Sequence, residues 1–76
     1  MRIRKLAENI VKDFNITIKD RVDAVLELDA ISYQNLGIDS TKTEKNKVKS
    51  DSKYLYKLIK GIDEQTGNLL INHLDA

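Results

Sequence analysis

Apolar side chains recur at helical spacing along most of this chain, and no proline interrupts them. Proline is the strongest breaker of a helix interior, because it lacks the N–H and its ring meets the preceding turn. A sequence without it is free to build long helices. Ile3, Leu6, Ala7, Ile10, Val11 and Phe14 fall at i, i+3, i+4, i+7, i+8 and i+11, which is one helix face. Arg4, Lys5, Glu8, Asn9, Lys12 and Asp13 take the other side. The spacing predicts a first helix over residues 2–14, stopped at Asn15, a residue that tolerates the left-handed conformation at a helix end.

Thr17 stands three residues before Asp20, close to a capping box, and opens a second helix over residues 18–36, closed by Gly37. Ile18, Val22, Val25, Leu26, Tyr33 and Leu36 share one face, and Ala24, Leu28 and Ile31 lie on the opposite one. A helix apolar on two sides belongs between others, which suits a central element. Asp29 intrudes on the first stripe, and the alternation of Val22, Ala24, Leu26 and Leu28 also fits a strand. The helical reading is adopted here.

Residues 38–51 contain only Ile38 and Val48 as apolar side chains and read as a basic connection. Thr41 and Glu44 form a second capping box there, sufficient for a short exposed helix. Ser52 or Asp51 then caps one long helix over residues 52–75. Leu55, Leu58, Ile59, Ile62, Thr66, Leu69, Leu70 and His73 fall within an arc of roughly 120° at 100° per residue. Gly61 and Gly67 lie off that stripe, and Gly61 marks a kink. The fold class expected is all-α: a small three-helix bundle with a long C-terminal amphipathic helix, forming a single domain over residues 1–76.

At 76 residues the chain is near the lower limit for a domain without staples. It has no Cys, so disulfides and thiolate metal sites are excluded. The hydrophobic fraction of 41% suffices for one core. No apolar run approaches the ~18 residues of a membrane span. Arg2, Arg4 and Lys5 are followed by helical periodicity rather than a signal-peptide core. A cytoplasmic protein without membrane contact is expected. The richness in Lys, Ile, Asn and Asp suggests an AT-rich coding genome, bacterial or phage, and with the small size and lack of chemistry a phage or mobile-element type.

His73 is the only His, so no pair or triad needing a second one can be built. No catalytic, cofactor or metal site is expected. Asp20, Asp23 and Glu27 share a helix face by i, i+3, i+7 spacing and form an acidic docking surface. The glycines fit no phosphate loop. Charge is nonetheless blocked along the chain: residues 20–39 carry five acids against Arg21, and residues 40–60 carry seven Lys against Glu44 and Asp51. Such blocks complement one another within one fold or, alternatively, steer partners.

Two short segments resemble known families. The run Val11 to Leu26 (VKDFNITIKDRVDAVL) resembles part of a helix-turn-helix, which implies DNA binding through the second helix. Val22 comes one position late for that pattern, and Asp20, Asp23 and Glu27 would face the phosphates. Leu36-Gly37-Ile38-Asp39-Ser40 is similar to the segment around the phosphopantetheine-bearing Ser of acyl carrier proteins, which implies modification of Ser40. The residues after Ser40 depart from that family in offering only Val48 to a core.

Function is therefore expected to be non-enzymatic: a protein–protein interaction or regulatory protein without cofactor. Its partner would be another protein or a second copy, docked through Leu69, Leu70 and Leu74 or through the acidic face. Leu55, Ile59, Ile62, Thr66, Leu69, His73 and Ala76 follow 4-3-4-3-4-3 spacing, a heptad seam that suits a homodimer. The alternative is a small DNA-binding regulator using Arg2, Arg4, Lys5, Lys42, Lys45, Lys47 and Lys49. A third reading is a carrier domain modified at Ser40.

Overall fold

The computed structural model of the chain describes residues 3–37 and 41–75. Among the described residues are four α-helices and no strand: α1 (Ile3–Val11), α2 (Ile18–Gln34), α3 (Lys42–Ile62) and α4 (Glu64–Asp75). The all-helical expectation holds, and the ambiguous Val22–Leu28 stretch lies inside α2. The three-helix layout does not hold, and its boundaries move for identifiable reasons.

The first helix stops at Val11 rather than Phe14. Arg21, only 7% exposed, donates from Nε to the Ile16 carbonyl at 3.0 Å and from Nη1 to the Val11 carbonyl at 3.5 Å. A helix leaves its last carbonyls unsatisfied, and a cationic donor suits that negative end of the dipole. The chain then turns through residues 12–17, where the Asn15 N–H bonds the Asp13 carboxylate at 3.0 Å. Phe14 thereby leaves the buried stripe and stands 85% exposed, with the Arg21 guanidinium 5.0 Å from its ring centre.

The two Thr caps form, whereas the expected cap at Ser52 or Asp51 does not, because both residues lie inside α3. Thr17 Oγ1 accepts from the Asp20 N–H and Thr41 Oγ1 from the Glu44 N–H, each at 3.1 Å. α2 ends at Gln34, two residues short of the expected boundary. The second cap starts α3 at Lys42, so most of the expected basic connection is helix. Its Lys and Glu residues are strong helix formers. Arg4 of α1 also holds the segment, pairing with Asp51 at 2.7 Å and donating to Ser50 Oγ at 3.2 Å.

Among the described residues the buried apolar core is Ile3 and Ala7 of α1, Val22 and Val25 of α2, and Leu55 and Ile59 of α3. Fully burying one such aliphatic side chain contributes about 1.5–3 kcal/mol. α3 touches every other helix, whereas α4 touches α3 alone. The central element is thus α3, with α2 lying against it and α1. The molecule is flat, 39 × 27 × 14 Å. Among the described residues no helix is long and apolar enough to cross a membrane.

The expected single helix over residues 52–75 is broken at Asp63, two residues beyond the glycine read as a kink. Asp63 is extended (φ −148°, ψ 91°), and its N–H still bonds the Ile59 carbonyl at 2.7 Å. Its carboxylate accepts from the Thr66 N–H at 3.2 Å and from the Thr66 hydroxyl at 2.9 Å. One residue therefore ends α3 and caps α4. Gly67 is buried against the backbone of Lys60. A methyl group at position 67 would overlap the Lys60 backbone, while one at Gly61 would meet open space.

These two glycines should respond oppositely to the same substitution. Gly67→Ala is expected to destabilise the fold by about 1–3 kcal/mol, as overpacking does. Gly61→Ala should stabilise it by about 0.5 kcal/mol or more through helix propensity. Chemical denaturation of both variants beside the parent checks the pair, and equal effects would contradict the tight α3–α4 contact.

Candidate functional site

The helical state of residues 42–51 aligns side chains that the sequence alone leaves scattered. At 100° per residue, Lys42, Lys45, Lys49, Lys53, Lys57 and Lys60 fall within an arc of roughly 120° on α3. All six are exposed. They recur once per turn over a length of about 27 Å at 1.5 Å per residue. Their i±3 and i±4 neighbours within α3 are lysines or uncharged residues, never acids. Like charges at that spacing each destabilise a helix by a few tenths of a kcal/mol, and an ordinary solvated face interleaves opposite charges.

The acids of α3, Glu44 and Asp51, lie on another side. Together with Lys47 they line a hollow of about 270 Å³ between α3, the end of α2 and Ile3. Lys47 is accordingly outside the lysine row. At its C-terminal end the row meets α4, because Gly67 sits on Lys60. The open part of the face runs from Lys42 to Lys57.

The other predicted site residues are spread over α1, α2 and α4. Asp20, Asp23 and Glu27 are exposed on α2, opposite Val22 and Val25, and make a convex ridge rather than a cleft. Arg4 is exposed, pairs with Asp51 at 2.7 Å and lies 4.8 Å from the Tyr54 ring centre. Lys5 is exposed, and Arg2 lies outside the described residues, as does Ser40. The corner at Asp63 interrupts the expected heptad seam after Ile62, whereas Leu69, Leu70 and Leu74 all lie on α4. Leu69 is 65% exposed, but Leu70 and Leu74 are half-buried, and Leu70 packs on the core. His73 is exposed in the last turn of α4.

The helix-turn-helix geometry is not reproduced. α1 and α2 are separated by residues 12–17, longer than the turn of about three to four residues that the motif uses. The second helix presents acids where phosphate contacts belong.

Sequence reasoning missed the polar groups that join the helices. Asp29, which interrupts the apolar stripe of α2, is 7% exposed and accepts from the hydroxyls of Ser52 and Tyr56, the latter at 2.6 Å. Ser52 and Tyr56 are one helical turn apart on α3, and that i, i+4 pair of hydroxyls was the signal. The Tyr54 hydroxyl likewise donates to Glu8 of α1. Among the described residues no group of three His, Asp or Glu side chains is placed to hold a metal ion.

No protein-family model matches the chain, and no curated protein or solved structure does either.

Both tyrosines have phenols that resist ionisation. Burial, then the hydrogen bond to Asp29 and its negative charge, push Tyr56 well above the ordinary value of 10.0. For Tyr54 the hydrogen bond to Glu8 comes first, with Arg4 opposing. A pKa raised in the folded state means that folded protein holds protons the unfolded chain releases. That contribution is complete below about pH 10 and is lost as pH rises above it. Stability should therefore fall in strong alkali, and Tyr56→Phe should flatten the fall. Denaturation measured across the alkaline range, beside the ultraviolet absorbance of phenolate, checks this.

Proposed function

We propose that this chain is a non-enzymatic binding module and that its binding surface is the lysine face of α3, which takes an extended polyanion. The observation that carries the reading is the row itself. Lysines repeat at every turn, and no acid stands at i±3 or i±4 to them on the helix, so like charges are neighbours along this face of α3. An anion of matching length relieves that repulsion. The non-enzymatic part is supported by where the titratable groups lie: Asp20, Asp23 and Glu27 on a convex face, His73 exposed at a helix end, and Asp29 engaged by two hydroxyls.

A sulfated polyanion column tests the surface independently of any biological ligand. The parent should be retained at low salt despite a net charge of only +1. Lys45→Glu/Lys49→Glu should elute markedly earlier, while Lys5→Glu/Lys12→Glu, with the same change in net charge, should elute close to the parent in comparison. Equal elution of the two variants would remove the lysine face from the reading.

A second reading, docking of a protein or a second copy on α4, is favoured by the 65% exposure of Leu69 on a helix that touches α3 alone. Sedimentation equilibrium tests it. Concentration-dependent association lost in Leu69→Asp is the expected result on that reading, and a monomer throughout excludes the homodimer.

A further inference from the structure

The lysine face differs in kind from the surfaces that bind single strands. Sequence-tolerant binding of single-stranded nucleic acid combines a basic groove with aromatic rings on which bases stack, at about 1–3 kcal/mol per base. α3 contains two aromatics, and both are committed inside the fold. The Tyr54 hydroxyl donates to Glu8, and its ring is covered by the Arg4 guanidinium at 4.8 Å. The Tyr56 hydroxyl donates to the buried Asp29 at 2.6 Å. Tyr54 lies outside the lysine arc, and Tyr56, which falls inside it between Lys45 and Lys49 at 100° per residue, is half-buried with its polar tip turned to Asp29. The face offers no platform for an unpaired base.

It is also poorly equipped to read a base edge. Discrimination in the major groove relies on the forked donors of Arg and on the amides of Asn and Gln. α3 has no Arg and no Gln, and Asn46 is the only amide on the lysine side. Lysine is a compact, strongly hydrated point charge suited to phosphate oxygens. The helix is moreover hemmed in by α1, α2 and α4, which all pack on it. Its basic side is therefore presented as a ridge that lies along phosphates, not as a free rod for insertion into a groove.

We propose that the polyanion is double-stranded nucleic acid, held through its phosphates by Lys42, Lys45, Lys49 and Lys57 with Lys53 between them, without selection of sequence. This rests on the polyanion reading above. Duplex DNA supplies a stiff lattice with about one charge per 1.7 Å of axis. A rigid row of cations matches a stiff lattice without having to order it, whereas a flexible single strand loses conformational freedom on binding and recovers nothing by stacking here.

Fluorescence anisotropy of the full chain decides the matter, using labelled duplexes of two unrelated sequences, the corresponding single strands, and competition by heparin and by poly-glutamate. The two duplexes should bind alike and more tightly than either strand. A fourfold rise in salt should weaken duplex binding by about a hundredfold, as expected for roughly four phosphate contacts. Lys45→Glu/Lys49→Glu and the milder Lys45→Gln/Lys49→Gln should each lose affinity, the first by roughly tenfold or more, with circular dichroism verifying that both remain helical. Asn46→Ala should leave the two duplexes equal. Tighter binding to a single strand, or a clear preference between the duplexes, overturns this inference and leaves the polyanion reading standing. Poly-glutamate competing as well as duplex overturns the choice of nucleic acid over an acidic protein. Failure of every polyanion to bind at low salt overturns both.

Discussion

Everything in this fold converges on one turn of α3, where Leu55 and Ile59 are completely buried. So small a core leaves little redundancy. Ala7 of α1 and Val25 of α2, also completely buried, meet that turn from the other helices. Ala7 is fully buried, so a larger residue there would have to displace its neighbours in the core. Truncating Leu55 removes both the transfer energy and the filling of the space between three helices, a loss on the order of 2–5 kcal/mol. For so small a domain that is a large fraction of total stability.

Around this centre partly buried apolar side chains such as Ile10, Leu26, Leu58 and Leu70 add area, and polar ties locate the helices. Asp29 joins α2 to α3 through Ser52 and Tyr56, Arg4 and Glu8 join α1 to α3 through Asp51 and Tyr54, and Arg21 joins α2 to the end of α1. Hydrogen bonds require particular distances and angles, whereas apolar contacts tolerate sliding. The ties fix which turn of α3 faces each neighbour. A fixed rotation of α3 about its axis in turn determines that the lysines point outward.

Much of this was legible in the residues. The apolar periods gave helices, and Thr17 and Thr41 marked starts where their hydroxyls do cap. Residues 42–51 were read as a connection because Val48 is almost alone as an apolar side chain there. A helix formed from strong helix formers and tied down by Arg4 does not need a continuous stripe. Lys42, Lys45, Lys47 and Lys49 stand out in the sequence as candidate phosphate contacts, but their alignment with Lys53, Lys57 and Lys60, and the separation of Lys47 from them, follow only once that segment is helical. The corner at Asp63 was hidden for another reason. The apolar pattern stays in phase from Leu55 to His73, as it would in one straight helix, while the local competition of the Asp63 carboxylate for the Thr66 N–H leaves no trace in hydrophobic spacing. Asp29 looked like an error in a stripe because its partners lie more than twenty positions away.

The corner at Asp63 also divides the chain by the distance over which contacts must form. Gly67 meets Lys60 only a few residues back along the chain, so the α3–α4 contact closes a very short loop. The tie from Arg4 to Asp51 closes one of 47 residues. Loop closure grows more costly with length, and contacts distant in sequence set the pace of folding. The last dozen residues can thus dock and undock against α3 as a local cooperative unit, while the slow event is the arrival of α1 on the far side of the same helix.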